Sequence, residues 1–358
     1  MKIGSLDLGS KIILAPMAEV SDAPFRKIAQ ANGAGLTFTQ MVSARGVVEN
    51  SFETLRLLAF GREEKPIGVQ ILGNDAKLLS ASVREILRFK PDIIDLNCGC
   101  PKQNVTRYNL GAGLLDDPSL LGSLVKSMVS AAGEIPVSVK MRLGRDQKKI
   151  NIHENVKAAE DNGASLVFVH ARTKVDKYDQ SAKWDILADV KAKASIPVVG
   201  NGSVFVPEDA LNMIKQTGVD SVLVARGALG NPFIFNRSRS LLESGVDPGG
   251  PDRETLRSII FKHLNLLEKE YTGAVLLNHV KKNIIWYLRY YGGIYDFLEK
   301  AIASISVEDL KQITDKHIDN IDLTRTEPAD VIDVEQRFRQ KVLFWLTKKD
   351  VNENICYQ

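Results

Sequence analysis

Ile93-Ile94-Asp95-Leu96-Asn97-Cys98-Gly99-Cys100-Pro101 is a short apolar run that stops abruptly on Asn, Gly and Pro, with two thiols beside them. A β-branched run broken by such residues reads as a strand meeting a loop. In a barrel of alternating strands and helices, that junction is where chemistry is placed. A cysteine there can serve as a proton donor, a nucleophile or a ligand. The same event recurs along the chain. Apolar runs at 11–15, 36–39, 67–69, 137–139, 166–169, 197–199 and 221–224 give seven more. They end on Pro16-Met17-Ala18, Gln40-Met41, Gln70, Lys140-Met141-Arg142, His170-Ala171-Arg172, Gly200-Asn201-Gly202 and Ala225-Arg226-Gly227.

Between the runs, 76–89, 119–132, 152–162 and 207–217 carry helical spacing, and Gly33, Gly163 and Gly218 stand where helix C-terminal caps are expected. Buried parallel strands read as continuous rather than alternating apolar runs, as these do. Eight strand–helix units within roughly the first 240 residues predict a (β/α)8 TIM barrel, whose typical length is about 250 residues. The alternative is an open, doubly wound sheet, but no early Gly-rich dinucleotide loop follows the first strand.

The bulk composition suits an enzyme with one large and one small domain: 358 residues, 44% hydrophobic and 25% charged. Three cysteines, two of them separated by one residue, make neither a secreted disulfide framework nor a zinc pair, so no metal is expected. No signal peptide and no membrane-length apolar stretch stands out, which predicts a cytoplasmic setting. The net charge of +3 permits nucleic-acid binding without arguing for it.

A boundary is expected near 244–252, where Gly245-Val246-Asp247-Pro248-Gly249-Gly250-Pro251-Asp252 breaks any regular element. The period then turns helical, with helices expected at 254–271, 275–291, 296–303 and 307–318. The reading is a barrel domain at 1–243, an all-helical domain at 252–320, and a tail at 321–358 with one further helix from about 330 to 346. The second of these helices carries Lys281, Lys282 and Arg289 beside Trp286, Tyr287, Tyr290 and Tyr291. A basic, aromatic face can grip phosphates and stack on bases; a Trp/Tyr core face with a solvated basic face is the plainer reading of the helix alone.

Ala15-Pro16-Met17-Ala18, Asp22-Ala23-Pro24-Phe25-Arg26, Gln70-Ile71-Leu72-Gly73, Asn97-Cys98-Gly99-Cys100-Pro101, Lys140-Met141-Arg142, His170-Ala171-Arg172-Thr173, Asn201-Gly202 and Ala225-Arg226-Gly227 stand in order along the chain. Together with Trp286-Tyr287-Leu288 they resemble the tRNA-dihydrouridine synthases over about residues 1 to 320, and most of all the bacterial B-type enzymes. The resemblance implies reduction of specific tRNA uridines to dihydrouridine, with FMN re-reduced by NADPH, a tRNA partner and no obligate protein partner. It implies Cys100 as the acid that protonates C5 of the uracil, a task a mostly protonated thiol can perform. Cys98 reads instead as a buried small hydrophobe, and Cys356 has no assigned role. The flavin would be held by Pro16, Met17, Ala18, Gln70, Lys140 and His170, and its phosphate by Asn201, Gly202, Ser203, Ala225, Arg226 and Gly227 after the last two strands. Asn97 and Arg172, with Lys140, would touch the uracil, and Lys281 and Lys282 the RNA.

Four departures from the family pattern involve five positions: Glu19 for Gly, Ser203 for Asp, Asp179-Gln180 after Tyr178, and Asn283 for His. A small-molecule FMN barrel of the dihydroorotate dehydrogenase kind would share the lysine and the phosphate site but would not need the helical domain. An RNA-binding module with a dead barrel would not need Cys100, Lys140 or Asn201-Gly202.

Overall fold

A computed structural model describes residues 2–3, 6–178, 180–289, 291 and 294–323. The described residues form two compact units, one within 2–227 with 234–248, the other of 228–233 with those within 249–323. The helix expected at 330–346 and Cys356 lie outside the described residues, as do Asp179 and Tyr290.

In the first unit the eight apolar runs are strands: β1 (Ile12–Leu14), β2 (Thr37–Phe38), β3 (Ile67–Leu72), β4 (Ile93–Cys98), β5 (Val137–Arg142), β6 (Leu166–His170), β7 (Val198–Asn201) and β8 (Ser221–Val224). All neighbouring pairs run parallel, in the order β1-β8-β7-β6-β5-β4-β3-β2. The ends of that path meet. Leu14 N donates to Leu36 O at 2.9 Å and Gly35 N to Ile12 O at 2.8 Å, so β1 and β2 close the ring. Closure rules out the open doubly wound sheet. It also accounts for the continuous apolar runs, because every strand is buried on both faces.

Helices Ala23–Ala31, Ala44–Val48, Ala76–Ile86, Pro118–Ala132, Ile152–Asp161, Trp184–Lys193, Pro207–Thr217 and Ile234–Ser244 follow the strands in turn. Their starts are set locally: Asp22, Asp75 and Asp117 each accept a backbone N–H from the first turn, satisfying an otherwise orphaned donor. Inside the ring Ile13, Leu36, Phe38, Phe168, Val199 and Leu223 form one apolar cluster, joined by Ile3 and Leu8 from the N-terminal hairpin. Phe38 and Phe168 meet edge to face at 5.4 Å. The barrel is therefore a filled core, apolar in this layer.

The second unit is helical: Arg253–Glu270, Gly273–Leu288, Ile294–Ala303 and Val307–Asn320. Leu256, Ile260, Leu264 and Leu267 form one stripe and Val280, Ile284 and Leu288 another, and these stripes pack with Phe297, Leu310 and Ile318. Asp252 and Ser306 cap two of the helices through their side-chain oxygens. Among the described residues, no helix is long and apolar enough to cross a membrane.

Candidate active site

The polar residues on which the apolar runs end are themselves rungs of the sheet. Gln70 pairs in register with Asp95, Asn97 with Lys140, and His170 with both Arg142 and Asn201. A backbone rung forms whatever the side chain, so the strands continue past their apolar stretch. The result is a ring of amides, cations and an imidazole, fixed by the ladder at the carboxyl end of the barrel.

On the β3–β4 side the side chains form a directed chain. Ser138 Oγ donates to Asp95 Oδ1 at 2.7 Å, and Gln70 Nε2 donates to Asp95 Oδ2 at 2.7 Å. Asn97 Nδ2 donates to Gln70 Oε1 at 2.7 Å. Asn97 Oδ1 then accepts from Gly99 N at 3.1 Å and Cys100 N at 3.0 Å, folding the turn that carries Cys100. From the other side, Ala112 N donates to Cys100 O at 3.0 Å. Gly111 has φ +57°, and a Cβ there would lie 2.8 Å from that same carbonyl oxygen, so only glycine lets the segment approach so closely. Cys100 is half-buried and Cys98 fully buried. Burial raises the pKa of both thiols, and that of Cys98 goes well above the ordinary value.

Cations crowd the opposite side. Arg142 donates to Gly99 O at 2.9 Å, Thr173 O at 2.8 Å and the Tyr178 hydroxyl at 3.1 Å. Lys140 is half-exposed at the mouth. Its pKa falls to about 8, chiefly through burial and then the Arg142 charge, with Asp95 and Cys100 opposing. Among the described residues, its ammonium makes no hydrogen bond, so burial and charge govern it. The pKa of His170 lies well below the ordinary value, through burial first and then the charges of Arg142, Lys140, Arg172 and Arg226. Arg172 Nη1 donates to His170 Nε2 at 3.2 Å; since a guanidinium cannot accept, the imidazole carries its proton on Nδ1. Arg172 is 1% exposed. It also donates to Gln180 O, through Nε and Nη2, and to Ser203 Oγ at 2.9 Å. One N–H on its Nη1 is left to offer.

After β7 the backbone turns sharply at Asn201-Gly202-Ser203. Asn201 Nδ2 donates to Leu223 O at 2.7 Å, tying β7 to β8. Gly202 has φ +121° and Ser203 φ +57°. A Cβ on Gly202 would stand 3.0 Å from the Ala182 Cβ and 3.1 Å from the His170 ring. Among the described residues, no backbone acceptor takes the amides of Gly202 and Ser203. Arg226, between Ala225 and Gly227 after β8, lies 4.7 Å from the Tyr178 ring centroid and 5.1 Å from that of Phe205. After β1, Pro16 and Met17 are partly buried and Ala18 is exposed. The Ser21 hydroxyl accepts from Met17 N at 3.0 Å and donates to Met17 O at 3.1 Å. Glu19, standing where the family pattern has Gly, adopts φ +65°, the conformation glycine takes at least cost.

In the helical unit Lys281 Nζ donates to Ile302 O at 2.9 Å, satisfying an orphaned carbonyl at the end of Ile294–Ala303. Lys282 Nζ lies 5.2 Å from the Trp286 ring. Asn283 is buried and donates to His279 O. Four residues of the barrel site had no role in the sequence reading: Asp95, Ser138, Arg142 and Tyr178. An acid and a hydroxyl inside otherwise apolar strands were the available signals for the first two. Among the described residues, no cluster of three or more His, Cys, Asp or Glu side chains could hold a metal ion.

The family model described as dihydrouridine synthase matches residues 13–319. The tRNA-dihydrouridine synthase B of Pseudomonas putida is 36% identical over 289 residues, 80% of this chain and 85% of that protein. The probable tRNA-dihydrouridine synthase of Treponema pallidum is 32% identical over 322 residues, 87% of this chain and 94% of that protein. Among solved structures, the 6-hydroxypseudooxynicotine amine oxidase of Pseudomonas geniculata superposes with a TM-score of 0.53 at 15% identity. That match covers 73% of this chain and about half of the other, 52%, and it speaks to the fold alone. The matched span takes in every strand but the first residue of β1, all the polar rungs at the barrel mouth and the helical unit almost to its end, and on that extent the chain belongs to the dihydrouridine synthase family.

Proposed function

We propose that the enzyme reduces specific uridines of tRNA to 5,6-dihydrouridine, with FMN held at the barrel mouth, NADPH as reductant and Cys100 as proton donor. The observation that carries the reading is the Cys100 thiol, half-buried on a turn fixed by Asn97 and facing the Lys140 side of the ring. Relatives named for this activity align over most of the chain.

The residues fit FMN. The consecutive amides of Gly202 and Ser203, with Arg226 nearby, form the kind of concavity that takes a phosphate. Ala225 and Gly227 complete that edge, and Asn201 fixes its base. Lys140 supplies an ammonium without a hydrogen bond, Gln70 an amide whose orientation is set, His170 a neutral Nδ1–H, and Pro16, Met17 and Ala18 a backbone platform. When bound, the cofactor supplies the hydride for C6 of the uracil.

The chain's own residues supply the rest. Burial keeps the Cys100 sulfur protonated at neutral pH, so it holds the proton that C5 requires. Lys140, with its pKa near 8, is still cationic there and keeps positive charge in the mouth. The second Nδ2–H of Asn97, which meets only Met41 Sδ at 3.6 Å, and the remaining N–H of Arg172 are the groups offered to the uracil. The helical unit, chiefly through Lys282, grips the RNA; Lys281 does so only by giving up its carbonyl. A tRNA substrate places the reaction in the cytoplasm.

The test is mass mapping of unmodified tRNA after incubation with the FMN-loaded enzyme and NADPH. Gain of two hydrogens at defined uridines is the expected result. Consumption of NADPH with no such gain, for any tRNA offered, overturns the reading.

A further inference from the structure

A carboxylate enclosed by apolar strands needs a reason, and Asp95 has one in the direction of the hydrogen bonds around it. It is fully buried, with Ser138 donating to one oxygen and Gln70 to the other. An ionised carboxylate only accepts. The end of Gln70 facing it must therefore be the NH2 group, which turns Oε1 toward Asn97. Asn97 must then present Nδ2 to Gln70, which leaves its Oδ1 for the amides of Gly99 and Cys100. Each amide could flip in isolation. Anchored on an obligate acceptor, neither can flip without stranding two buried donors face to face.

We propose that Asp95 is a positioning residue, which sets the polarity of the Gln70–Asn97 chain and so holds the turn bearing the Cys100 proton donor. The inference rests on the reading of Cys100 as the acid in uridine reduction.

Only the ionised carboxylate enforces this polarity, because a protonated carboxyl has one oxygen that donates and one that accepts and so can meet Gln70 in either orientation. Burial, the largest influence, raises its pKa to about 6, against the bonds from Gln70 and Ser138 and the charge of Lys140. The sign follows: the polarity is enforced above about pH 6 and is loosened as pH falls through that value. Two neighbouring strands and its own bring groups toward the carboxylate. β5 brings Lys140, cationic throughout this range. β3 brings Gln70, which does not titrate. Its own strand brings Cys98, whose thiol stays neutral because burial lifts its pKa well up. Burial and the surrounding cations push the pKa of His170 well below its ordinary value. Of the groups named, Asp95 is the one whose pKa is placed near 6.

Two variants test this, Asp95→Asn and Ser138→Ala, each in the full chain loaded with FMN. The first readout is hydrogen exchange of the Gly99 and Cys100 amides, which needs no substrate. The second is the pH profile, from 5 to 8, of flavin oxidation by tRNA in a single turnover. In Asp95→Asn, exchange at both amides should rise about tenfold or more, the tRNA step should slow to a similar degree, and the acid limb should vanish. Ser138→Ala removes one donor to the carboxylate, so its acid limb should move to higher pH, and exchange of the two amides near pH 6 should quicken. Should Asp95→Asn fail to fold, the shift in Ser138→Ala decides. Exchange within about twofold of wild type in the folded variants, or an acid limb that neither variant moves, overturns the proposal. Should the wild-type enzyme form no dihydrouridine, the functional reading falls, and amide exchange alone then judges the relay.

Discussion

Cys98 and Cys100 are two residues apart and differ in almost everything that decides reactivity. Cys98 is on the last rung of β4, fully buried, its thiol held neutral by burial. Cys100 is beyond the rung, half-exposed, with Lys102, Arg142 and Lys140 opposing the effect of its burial. Only the second can meet a substrate. Cys100→Ala should therefore leave flavin binding and the reaction with NADPH nearly intact, while slowing reduction of tRNA by about 10²-fold or more, the usual span of acid–base catalysis. Cys98→Ala should change that step little. The measurement is single-turnover flavin oxidation by tRNA in both variants; equal losses would show that the proton donor has been misassigned.

At the scale of elements, the barrel was legible because burial on both faces of each strand leaves a continuous apolar run, and because Asp, Pro and Gly punctuate the helices that follow. What stayed hidden were pairings between distant positions. Asp95 and Ser138 are 43 residues apart, and nothing local announces that one will accept from the other. Lys281 looked like half of a basic face until the end of a later helix supplied a carbonyl for it. Arg26, visible only as the last residue of a motif, is a further case. Its Nε meets Glu64 Oε2 at 2.8 Å, with the two side chains 2% and 1% exposed. Its other nitrogens donate to Ser21 O at 3.0 Å and Ala59 O at 3.1 Å. Since Ser21 holds Met17 by two hydrogen bonds, the pair anchors the loop after β1 from below. Removing one member strands a buried charge, which costs about 3–5 kcal/mol, whereas replacing both by apolar side chains recovers much of that. Glu64→Ala should thus be strongly destabilising in urea unfolding, and Arg26→Met with Glu64→Leu much less so. A loss below about 1 kcal/mol in the single variant would mean the charge has found water or another partner.

For the molecule as a whole, a net charge of +3 is too small to hold a polyanion by itself, so any grip on tRNA must come from local groups. In the helical unit the candidates separate by where their charges sit. Lys281 donates to the Ile302 carbonyl, and its burial lowers its pKa. Arg289 is 6% exposed and donates to Leu229 O at 3.2 Å. Lys282 is half-exposed, its ammonium beside the half-exposed Trp286 ring. A cation next to an aromatic face can meet a phosphate while the ring meets a base. Reversing its charge is therefore the discriminating change, whereas Lys281→Glu would also uncap Ile294–Ala303 and confuse binding with stability. Lys282→Glu should weaken tRNA binding and lower the slope of log affinity against log salt by close to one unit, the share of one phosphate contact. Flavin content and the half-reaction with NADPH should stay as they are, because the groups proposed for both lie in the barrel. Titrations of the flavin-loaded variant with tRNA across salt concentrations give the slope. If it matches wild type, Lys282 and Trp286 are only a solvated pair, and the RNA contact has to be sought among the cations at the barrel mouth, beginning with Arg226.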